Sequence, residues 1–284
     1  MKIEKVCVIG AGIMGSGIAQ VVALSGYEVN LVDVDKYILN EAVEAIKKNL
    51  DRYYVHKNKM TEEEAIKTIE RIHINTSRKE SVADVDLVIE AVFEDMTLKK
   101  QLFKELDEIC NEQVILGSNT SSLSITEMAS AAKHRERIVG IHFFNPAPIM
   151  KLIELVKGMN TSDETIRIAK RFSESLNKTV VTVNDSPGFV TSRILYVLCN
   201  EAINMLMQGI ASAEDIDIAC KLAFNFPMGP IELSDLVGND VYLHIGEYLA
   251  NELGDQYRPS PLLRKMANAK LLGRKTKKGF YNYP

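Results

Sequence analysis

The stretch Val8-Ile9-Gly10-Ala11-Gly12-Ile13-Met14-Gly15 decides the fold of the first half of the chain. Its glycines fit the pattern G-x-G-x-x-G, which follows a β-branched run over residues 5–9 that is typical of a buried parallel strand. A helix of small residues is expected from Met14 to about Ser25, and a second strand from Glu28 to Asp33. Strand, glycine turn, helix and strand together predict the βαβ unit that opens a dinucleotide-binding fold.

Each glycine of this turn has a physical task. Gly10 permits the tight turn, Gly12 lets the backbone approach a pyrophosphate at the positive end of the helix, and Gly15 allows close packing. Asp33 ends the second strand, and its carboxylate is suited to accept hydrogen bonds from both adenosine ribose hydroxyls. Because that carboxylate would repel a 2′-phosphate and no arginine is near it in sequence, the pattern favours NAD over NADP. The alternative is a glycine-rich turn in some other α/β protein.

The rest of the chain predicts two domains. Residues 36–70 are charged and helical with a break at 58–62, which indicates an inserted helical hairpin, and Thr61 with Glu64 fits a capping box. Further strands are expected at residues 72–75, 87–91, 114–118, 138–143, 152–156 and 180–183. After the turn at 185–188, only helices are expected, near residues 189–208, 214–223, 231–236, 239–253 and 260–270, with Ser212 as an N-cap. We predict an α/β Rossmann-type NAD-binding domain at 1–184 and an all-α domain for substrate and dimerisation at 185–284.

Composition narrows the class of protein. The 284 residues carry a formal net charge of -4, which does not draw the chain to nucleic acid or to an anionic membrane. No apolar run reaches the length of a membrane span, and the start lacks a signal peptide, so a cytoplasmic location is expected. The four scattered cysteines form no C-x-x-C pair, and no metal site is predicted.

A candidate acid–base pair lies in the stretch Ile141-His142-Phe143-Phe144-Asn145-Pro146-Ala147-Pro148-Ile149-Met150-Lys151-Leu152-Ile153-Glu154. Reflection about Pro148 places His142 opposite Glu154, if the two flanking strands pair as a hairpin. A carboxylate there would fix the imidazole tautomer and stabilise the imidazolium, as the base of an alcohol oxidation requires. A structural His–Glu contact is the alternative.

A serine-rich loop, Gly117-Ser118-Asn119-Thr120-Ser121-Ser122, follows a predicted strand. Loops at the carboxyl ends of strands are where open α/β sheets bind ligands, so a hydroxyl here is expected to bond a substrate oxygen. For Ser122 or Ser124, helix capping is a serious rival interpretation.

Taken together, these motifs make the chain resemble the L-3-hydroxyacyl-CoA dehydrogenase family, in particular its stand-alone bacterial members. The resemblance covers nearly the whole length. Besides the glycine turn, the serine loop and His142-Phe143-Phe144-Asn145-Pro146, it includes Ser186-Pro187-Gly188-Phe189-Val190, Pro227-Met228-Gly229-Pro230, Gly273-Arg274-Lys275 and Gly279-Phe280-Tyr281.

The resemblance implies an enzyme that interconverts a short (S)-3-hydroxyacyl-CoA, such as (S)-3-hydroxybutyryl-CoA, and its 3-ketoacyl-CoA, such as acetoacetyl-CoA, with NAD(H). It implies His142 as base, Glu154 as its partner, and Ser121 as a catalytic contact to the reacting oxygen. It implies cofactor contacts at Gly10, Gly12, Ile13, Met14, Gly15, Asp33, Glu94, Lys99, Ser121, Asn145 and Lys275. It implies substrate contacts at Ser121, Ser192, Asn49 and Lys57. It also implies a homodimer.

Two features qualify the substrate contacts. The hairpin stretch 47–59 has five Lys or Arg against one Asp, so it would attract the phosphates of coenzyme A. The alternative is that these charges belong to a solvent-exposed helix face with no ligand. Ser192 stands where many relatives have Asn, and its shorter side chain lacks the amide. Two rival functions remain: a dehydrogenase of a hydroxy acid or sugar acid without coenzyme A, and a dinucleotide-binding protein that has lost turnover.

Overall fold

The chain forms two compact units in the computed structural model, which describes residues 2–284. The first unit extends to Asp185, and the second runs from Ser186 to Pro284. Each unit has its own cluster of buried apolar side chains. Within residues 2–284, no helix combines the length and the apolar character that crossing a bilayer would require.

An eight-stranded sheet forms the centre of the first unit. Its strands are β1 Lys5–Ile9, β2 Glu28–Val32, β3 Ile72–Asn75, β4 Leu87–Glu90, β5 Ile115–Ser118, β6 Ile138–Phe143, β7 Leu152–Lys157 and β8 Thr179–Asn184. They lie in the order β3-β2-β1-β4-β5-β6-β7-β8, and all neighbours are parallel except β6 and β7. Because the chain direction reverses once, β7 begins at the end of the sheet where β6 ends. The carboxyl ends of β1, β4 and β5 lie along the same margin, which forms the carboxyl edge of the sheet.

Helices accompany the sheet in this unit. They are α1 Ile13–Leu24, α2 Lys36–Leu50, α3 Glu62–Glu70, α4 Arg78–Ser81, α5 Met96–Ile109, α6 Ile125–Ala129 and α7 Asp163–Ser175. The predicted hairpin is present as α2 and α3, joined through a π-helical turn at Asp51–Val55. Both halves of the predicted capping box form, since Thr61 Oγ1 accepts from Glu64 N and Thr61 N donates to Glu64 Oε2.

The second unit is helical. Its helices are α8 Thr191–Met207, α9 Ala213–Phe224, α10 Pro230–Val237, α11 Asn239–Leu253 and α12 Pro261–Asn268. Ser212 caps α9 as predicted, through a bond from Asp215 N. The buried carboxyl group of Asp235 fastens the C-terminal tail, because it accepts from Phe280 N at 3.0 Å and from Tyr281 N at 2.9 Å.

The predicted fold class is confirmed, with a Rossmann-type α/β part, an inserted helical hairpin and a helical C-terminal part. Neither α5 nor α7, each of which has one buried face, is among the elements predicted from the sequence. Their apolar residues recur at helical spacing, and the pattern was available in the sequence. The observed strands differ from the predicted ones only at their ends.

Candidate active site

The His142–Glu154 pair has the register that the sequence predicted. His142 on β6 lies directly opposite Glu154 on the antiparallel strand β7. His142 Nδ1 is 2.9 Å from Glu154 Oε2, and both side chains are buried. The ring of Phe144 packs against the imidazole, with 4.4 Å between ring centroids. An imidazole held by a buried carboxylate has a fixed orientation and tautomer, which suits it to proton transfer.

The serine loop follows β5 at the same edge of the sheet. Asn119 Oδ1 accepts from Phe143 N at 2.8 Å, which ties the loop to the residue after His142. Glu94 Oε1 accepts from Ser121 N at 3.0 Å and lies 3.4 Å from Ser121 Oγ. Ser124 caps α6 by accepting from Glu127 N, which confirms the capping interpretation for that residue. Ser121 is therefore held by its backbone, and its half-buried side chain is at the loop surface.

The glycine turn shows why each glycine is required. Gly10 has φ of 98°, and a Cβ there would be 2.6 Å from the Ala91 carbonyl oxygen. A Cβ on Gly15 would be 1.7 Å from the Gly10 carbonyl oxygen, whereas a Cβ on Gly12 would meet nothing within 4 Å. The space at Gly12, where α1 begins, is open to a ligand. Asp33 Oδ2 accepts from Ala11 N at 2.8 Å, so the carboxylate is fixed to the turn.

Beneath the serine loop lies a buried group of charges that includes Lys99. Lys99 is 1% exposed, and its Nζ contacts Glu90 Oε1 at 2.7 Å and Glu90 Oε2 at 2.9 Å. Glu94 Oε2 is 3.4 Å from the same Nζ. Of the two residues expected as cofactor contacts here, Glu94 is partly exposed, whereas Lys99 is enclosed by protein.

The helical hairpin presents the basic residues that the sequence analysis singled out. Lys57 Nζ and the Arg52 guanidinium both lie over the ring of Tyr53, at 5.4 and 5.3 Å from its centroid. Asn49 is exposed at the end of α2, and its Nδ2 is 3.4 Å from Gln20 Oε1 on α1. The hairpin therefore combines exposed cations with an aromatic ring, a combination suited to a phosphate-bearing adenine nucleotide.

Comparison with known proteins places this geometry in a family. The NAD-binding domain of 3-hydroxyacyl-CoA dehydrogenase matches residues 5–186, and the C-terminal domain of the same enzyme matches residues 188–283. The chain belongs to the 3-hydroxyacyl-CoA dehydrogenase family. The expected family, the enzyme class of an NAD-dependent dehydrogenase and the NAD cofactor are thereby confirmed.

Individual members of the 3-hydroxyacyl-CoA dehydrogenase family are similar over the full length. The 3-hydroxybutyryl-CoA dehydrogenase of Clostridioides difficile is 46% identical over 280 residues, which are 98% of this chain and 99% of the relative. The human mitochondrial hydroxyacyl-coenzyme A dehydrogenase is 41% identical over an alignment of 287 positions, which covers 99% of this chain and 91% of the relative. The solved structure of (S)-3-hydroxybutyryl-CoA dehydrogenase from Ralstonia eutropha has a TM-score of 0.96 at 43% identity and covers 100% of both chains.

The residues of this 3-hydroxyacyl-CoA dehydrogenase family member fit NAD. The first turn of α1 carries no acidic side chain, so no residue of that turn opposes a pyrophosphate at the helix N-terminus. Gly12 leaves room for the backbone to approach it, and Asp33 is held beside the turn. Asn145, a further expected contact, is exposed two residues after the end of β6 and precedes Pro146 in a cis peptide bond.

Two expected site residues belong to the second unit. Ser192 is the second residue of α8 and is half-buried. Lys275 forms an ion pair with Asp240, and its amine is packed close to Gly238, where a Cβ would be 2.7 Å from Nζ. Both belong to the C-terminal unit, whereas His142 and Ser121 belong to the α/β unit.

Glu90 and its contact with Ser118 were not predicted from the sequence. Glu90 is fully buried at the end of β4, and Ser118 Oγ donates to its Oε1. One signal was available: Lys99, Leu102, Phe103 and Leu106 share one face of α5 at the spacing of a buried stripe. A lysine at a core position requires a buried acid, and the nearest acid in the preceding apolar strand is Glu90.

Proposed function

We propose that the protein interconverts (S)-3-hydroxybutyryl-CoA, or another short-chain (S)-3-hydroxyacyl-CoA, and acetoacetyl-CoA, or the matching 3-ketoacyl-CoA, with NAD(H). The observation that carries the proposal is the 2.9 Å contact between His142 Nδ1 and buried Glu154, in a chain of this family. Relatives that bear the name 3-hydroxybutyryl-CoA dehydrogenase support the substrate class.

His142 exchanges the substrate proton in this mechanism. Because Nδ1 donates to Glu154 Oε2, the neutral imidazole carries its lone pair on Nε2. Nε2 takes the proton of the 3-hydroxyl group during oxidation and returns it to the ketone oxygen during reduction. Glu154 stabilises the imidazolium formed in between. Bound NAD supplies the hydride acceptor, so the C3–H bond breaks with its electron pair as the carbonyl forms.

Ser121 orients the reacting oxygen in the same proposal. Its backbone is fixed by Glu94, and its loop is tied to the end of β6 by the bond between Asn119 and Phe143. A hydroxyl donor directed at the 3-oxygen stabilises the negative charge that develops there. Ser192 is proposed as a further substrate contact, with a shorter reach than the Asn of many relatives.

The basic hairpin is proposed to bind the coenzyme A part of the substrate. Arg52 and Lys57 supply positive charge beside the ring of Tyr53, and Asn49 and Lys57 are the contacts expected from the family. A dehydrogenase of a free hydroxy acid would not need this cluster. Free acetoacetate therefore serves as the substrate control.

The test is NADH oxidation by the purified protein with acetoacetyl-CoA, beside NADPH, free acetoacetate and the variant His142→Ala. We expect fast turnover only with NADH and the thioester, and a loss of about a hundredfold or more in kcat for the variant. NADH binding by the variant, followed by fluorescence, should be unchanged. Turnover with acetoacetate, or wild-type kcat in the variant, would refute the substrate class or the base respectively.

A homodimer is proposed as the assembly. Val190, Ile194 and Val197 repeat at helical spacing at the start of α8, and their exposed fractions are 46%, 62% and 46%. Apolar side chains on one helix face favour burial against a second copy of the chain. Sedimentation should show a dimer that Ile194→Lys weakens, and a stable wild-type monomer would overturn the proposal.

A further inference from the structure

Three charged side chains, two of them fully buried and the third partly exposed, form a continuous group under the serine loop. Glu90 is 0% exposed and Lys99 is 1% exposed, and their ion pair is 2.7 Å long. The second Glu90 oxygen accepts from Val92 N at 3.1 Å. Glu94 completes the group from the surface side, with 3.4 Å between its Oε2 and Lys99 Nζ. The sequence of contacts thus runs from the centre of the sheet to the loop.

The strand register puts Glu90 at the meeting point of both ligand-binding turns. Glu90 ends β4, with Ile9 of β1 beside it on one side and Ser118 of β5 on the other. The glycine turn begins directly after Ile9, and the serine loop leaves β5 at Ser118. Glu90 holds the second of these turns in two ways, because its backbone oxygen accepts from Asn119 N at 2.9 Å and its side chain accepts from Ser118 Oγ.

The outer carboxylate, Glu94, contacts the part of the loop that contains Ser121. Its Oε1 accepts from Thr120 Oγ1 at 2.5 Å and from Ser121 N at 3.0 Å. Its Oε2 faces Lys99, so the position of Glu94 depends on where the Lys99 amine is held. Without Glu90, a buried ammonium group would keep Glu94 as its nearest carboxylate and would draw it away from the loop, since an unpaired buried charge is costly.

We propose that Glu90 is a positioning residue for catalysis, which acts through Lys99 and Glu94 to place Ser121. The proposal rests on the proposed function in one respect, that Ser121 contacts the reacting oxygen. In this arrangement Lys99 sets the position of Glu94 and makes its contribution to the site through that carboxylate. Glu90 supplies the countercharge that keeps the Lys99 amine in place.

A purely structural role makes a different prediction. Asp107, on the same helix as Lys99, forms a second buried ion pair at 2.8 Å with Arg137, and neither residue contacts the serine loop. Asp107→Asn is therefore the matched control for the loss of one carboxylate from a buried pair on α5. It should lower stability and leave kcat of the remaining folded enzyme unchanged.

The experiment is a double-mutant cycle with Glu90→Gln, Ser121→Ala and the double variant, on the full chain loaded with NADH. We expect Glu90→Gln to lower kcat about tenfold or more, since small misplacements of a reacting group carry losses of this size. The KM for acetoacetyl-CoA should change much less than kcat. If Glu90 acts through Ser121, the double variant should be no slower than Ser121→Ala alone.

Each outcome decides between the two proposals. Wild-type kcat in Ser121→Ala refutes the proposed role of Ser121, and this inference with it. A defect in Ser121→Ala, combined with an absent or fully additive effect of Glu90→Gln, overturns this inference alone. A loss of kcat in Asp107→Asn equal to that in Glu90→Gln also overturns it.

Ser118→Ala provides a second route if Glu90→Gln does not fold. It removes one hydroxyl, which donates to Glu90 and accepts from Thr120 N at 3.2 Å, and it leaves the ion pair intact. The same cycle with Ser121→Ala applies. Non-additive losses in kcat support the positioning role, and additive losses refute it.

Discussion

At the scale of the residue, Glu154 and Glu90, the two buried acids near the proposed active site, have different partners and therefore different tasks. Glu154 faces an imidazole, whose charge changes during a proton transfer, whereas Glu90 faces a lysine amine. A carboxylate opposite a group of changing charge stabilises one protonation state over the other. A carboxylate opposite an amine that takes no part in the proton transfer fixes geometry instead. Burial raises the energetic effect of both contacts.

We expect Glu154→Gln to lower kcat about a hundredfold or more, because a neutral amide neither stabilises the imidazolium nor fixes the productive tautomer. Single-turnover reduction of acetoacetyl-CoA would measure the chemical step directly. Glu62→Gln, at an exposed position on α3, is the control and should behave as wild type. A Glu154→Gln enzyme with undiminished single-turnover rate would show that His142 works without its partner.

The sequence was sufficient for one of these acids and not for the other. His142 and Glu154 flank a proline-rich turn, and simple reflection gave the register that the sheet shows. The partners of Glu90 come from a helix nine positions later and from a strand 28 positions later. The buried stripe of α5 indicates that Lys99 needs an acid partner, but no local pattern specifies the contact of that acid with Ser118, because it depends on how β4, β5 and α5 pack together.

At the scale of the element, the glycine turn shows two kinds of requirement in one motif. Gly15 is needed for packing, since any side chain would overlap the Gly10 carbonyl group. Gly12 is surrounded by open space, so its lack of a side chain matters to a ligand and not to folding. Glycine is thus required by the protein's own packing at Gly15 and by the approach of a ligand at Gly12.

Gly12→Ala and Gly15→Ala should therefore separate binding from stability. We expect Gly15→Ala to reduce the free energy of unfolding by about 2 kcal/mol or more through overpacking. Gly12→Ala should unfold like the wild type but bind NADH more weakly, because the methyl group occupies the approach to the pyrophosphate. Urea unfolding and NADH titration measure the two effects. Equal stability of both variants would contradict the assignment.

Asp107 gives α5 a pH-dependent anchor. Burial alone would raise the pKa of this carboxyl, but hydrogen bonds from Arg137 and from Lys133 N outweigh it and hold the pKa below its usual value. A lowered folded-state pKa means that the contact stabilises the fold above the unfolded-state value of about 3.9 and loses this effect as the pH falls below it.

The stability gap between wild type and Asp107→Asn should accordingly be largest near pH 7 and should shrink on acidification below about pH 4. Urea midpoints across this range would measure it. Lys133→Ala is a useful comparison, because it retains the backbone N–H that donates to Asp107. The stability difference caused by Asp107→Asn should therefore be the same in a Lys133→Ala background. A gap that grows towards acid pH would reverse the sign assigned here.

At the scale of the whole molecule, each unit closes its own core by its own means. The α/β unit relies on buried strands, whereas the helical unit fastens its C-terminal tail to one carboxyl group. Besides Phe280 N and Tyr281 N, Asp235 accepts from Asn239 Nδ2 at 3.0 Å and from Tyr283 Oη at 3.1 Å. Burial raises the pKa of Tyr283 to about 12, so its hydroxyl remains a donor at physiological pH.

Asp235→Asn should loosen the second unit selectively. The amide group turns one of the two acceptor atoms into a donor facing other donors, and each buried group left unpaired costs about 1–3 kcal/mol. Hydrogen exchange should then accelerate over residues 230–284 and stay near wild-type rates in strands β1, β4 and β5. Uniform acceleration over both units would argue that they unfold as one.

The sequence also predicted the broad plan at this scale, for a physical reason. Alternating and fully apolar runs stop after the turn at 185–188, and only helical spacing follows. The change of architecture is therefore visible in the spacing of the apolar residues. The order of the strands and the single reversal in the sheet depend on contacts between distant segments. They became evident only with the folded chain.

That single reversal has an evolutionary consequence. The proposed acid–base pair is separated by only 12 positions along the chain, so one short contiguous segment encodes both partners. The residues proposed to bind the dinucleotide, by contrast, include Gly10, Asp33 and Glu94, which are scattered through the first hundred residues. Recombination can exchange the segment from β6 to β7 as one piece, so that Glu154, which fixes the tautomer, is inherited together with His142. Cofactor preference must instead change through several separate substitutions.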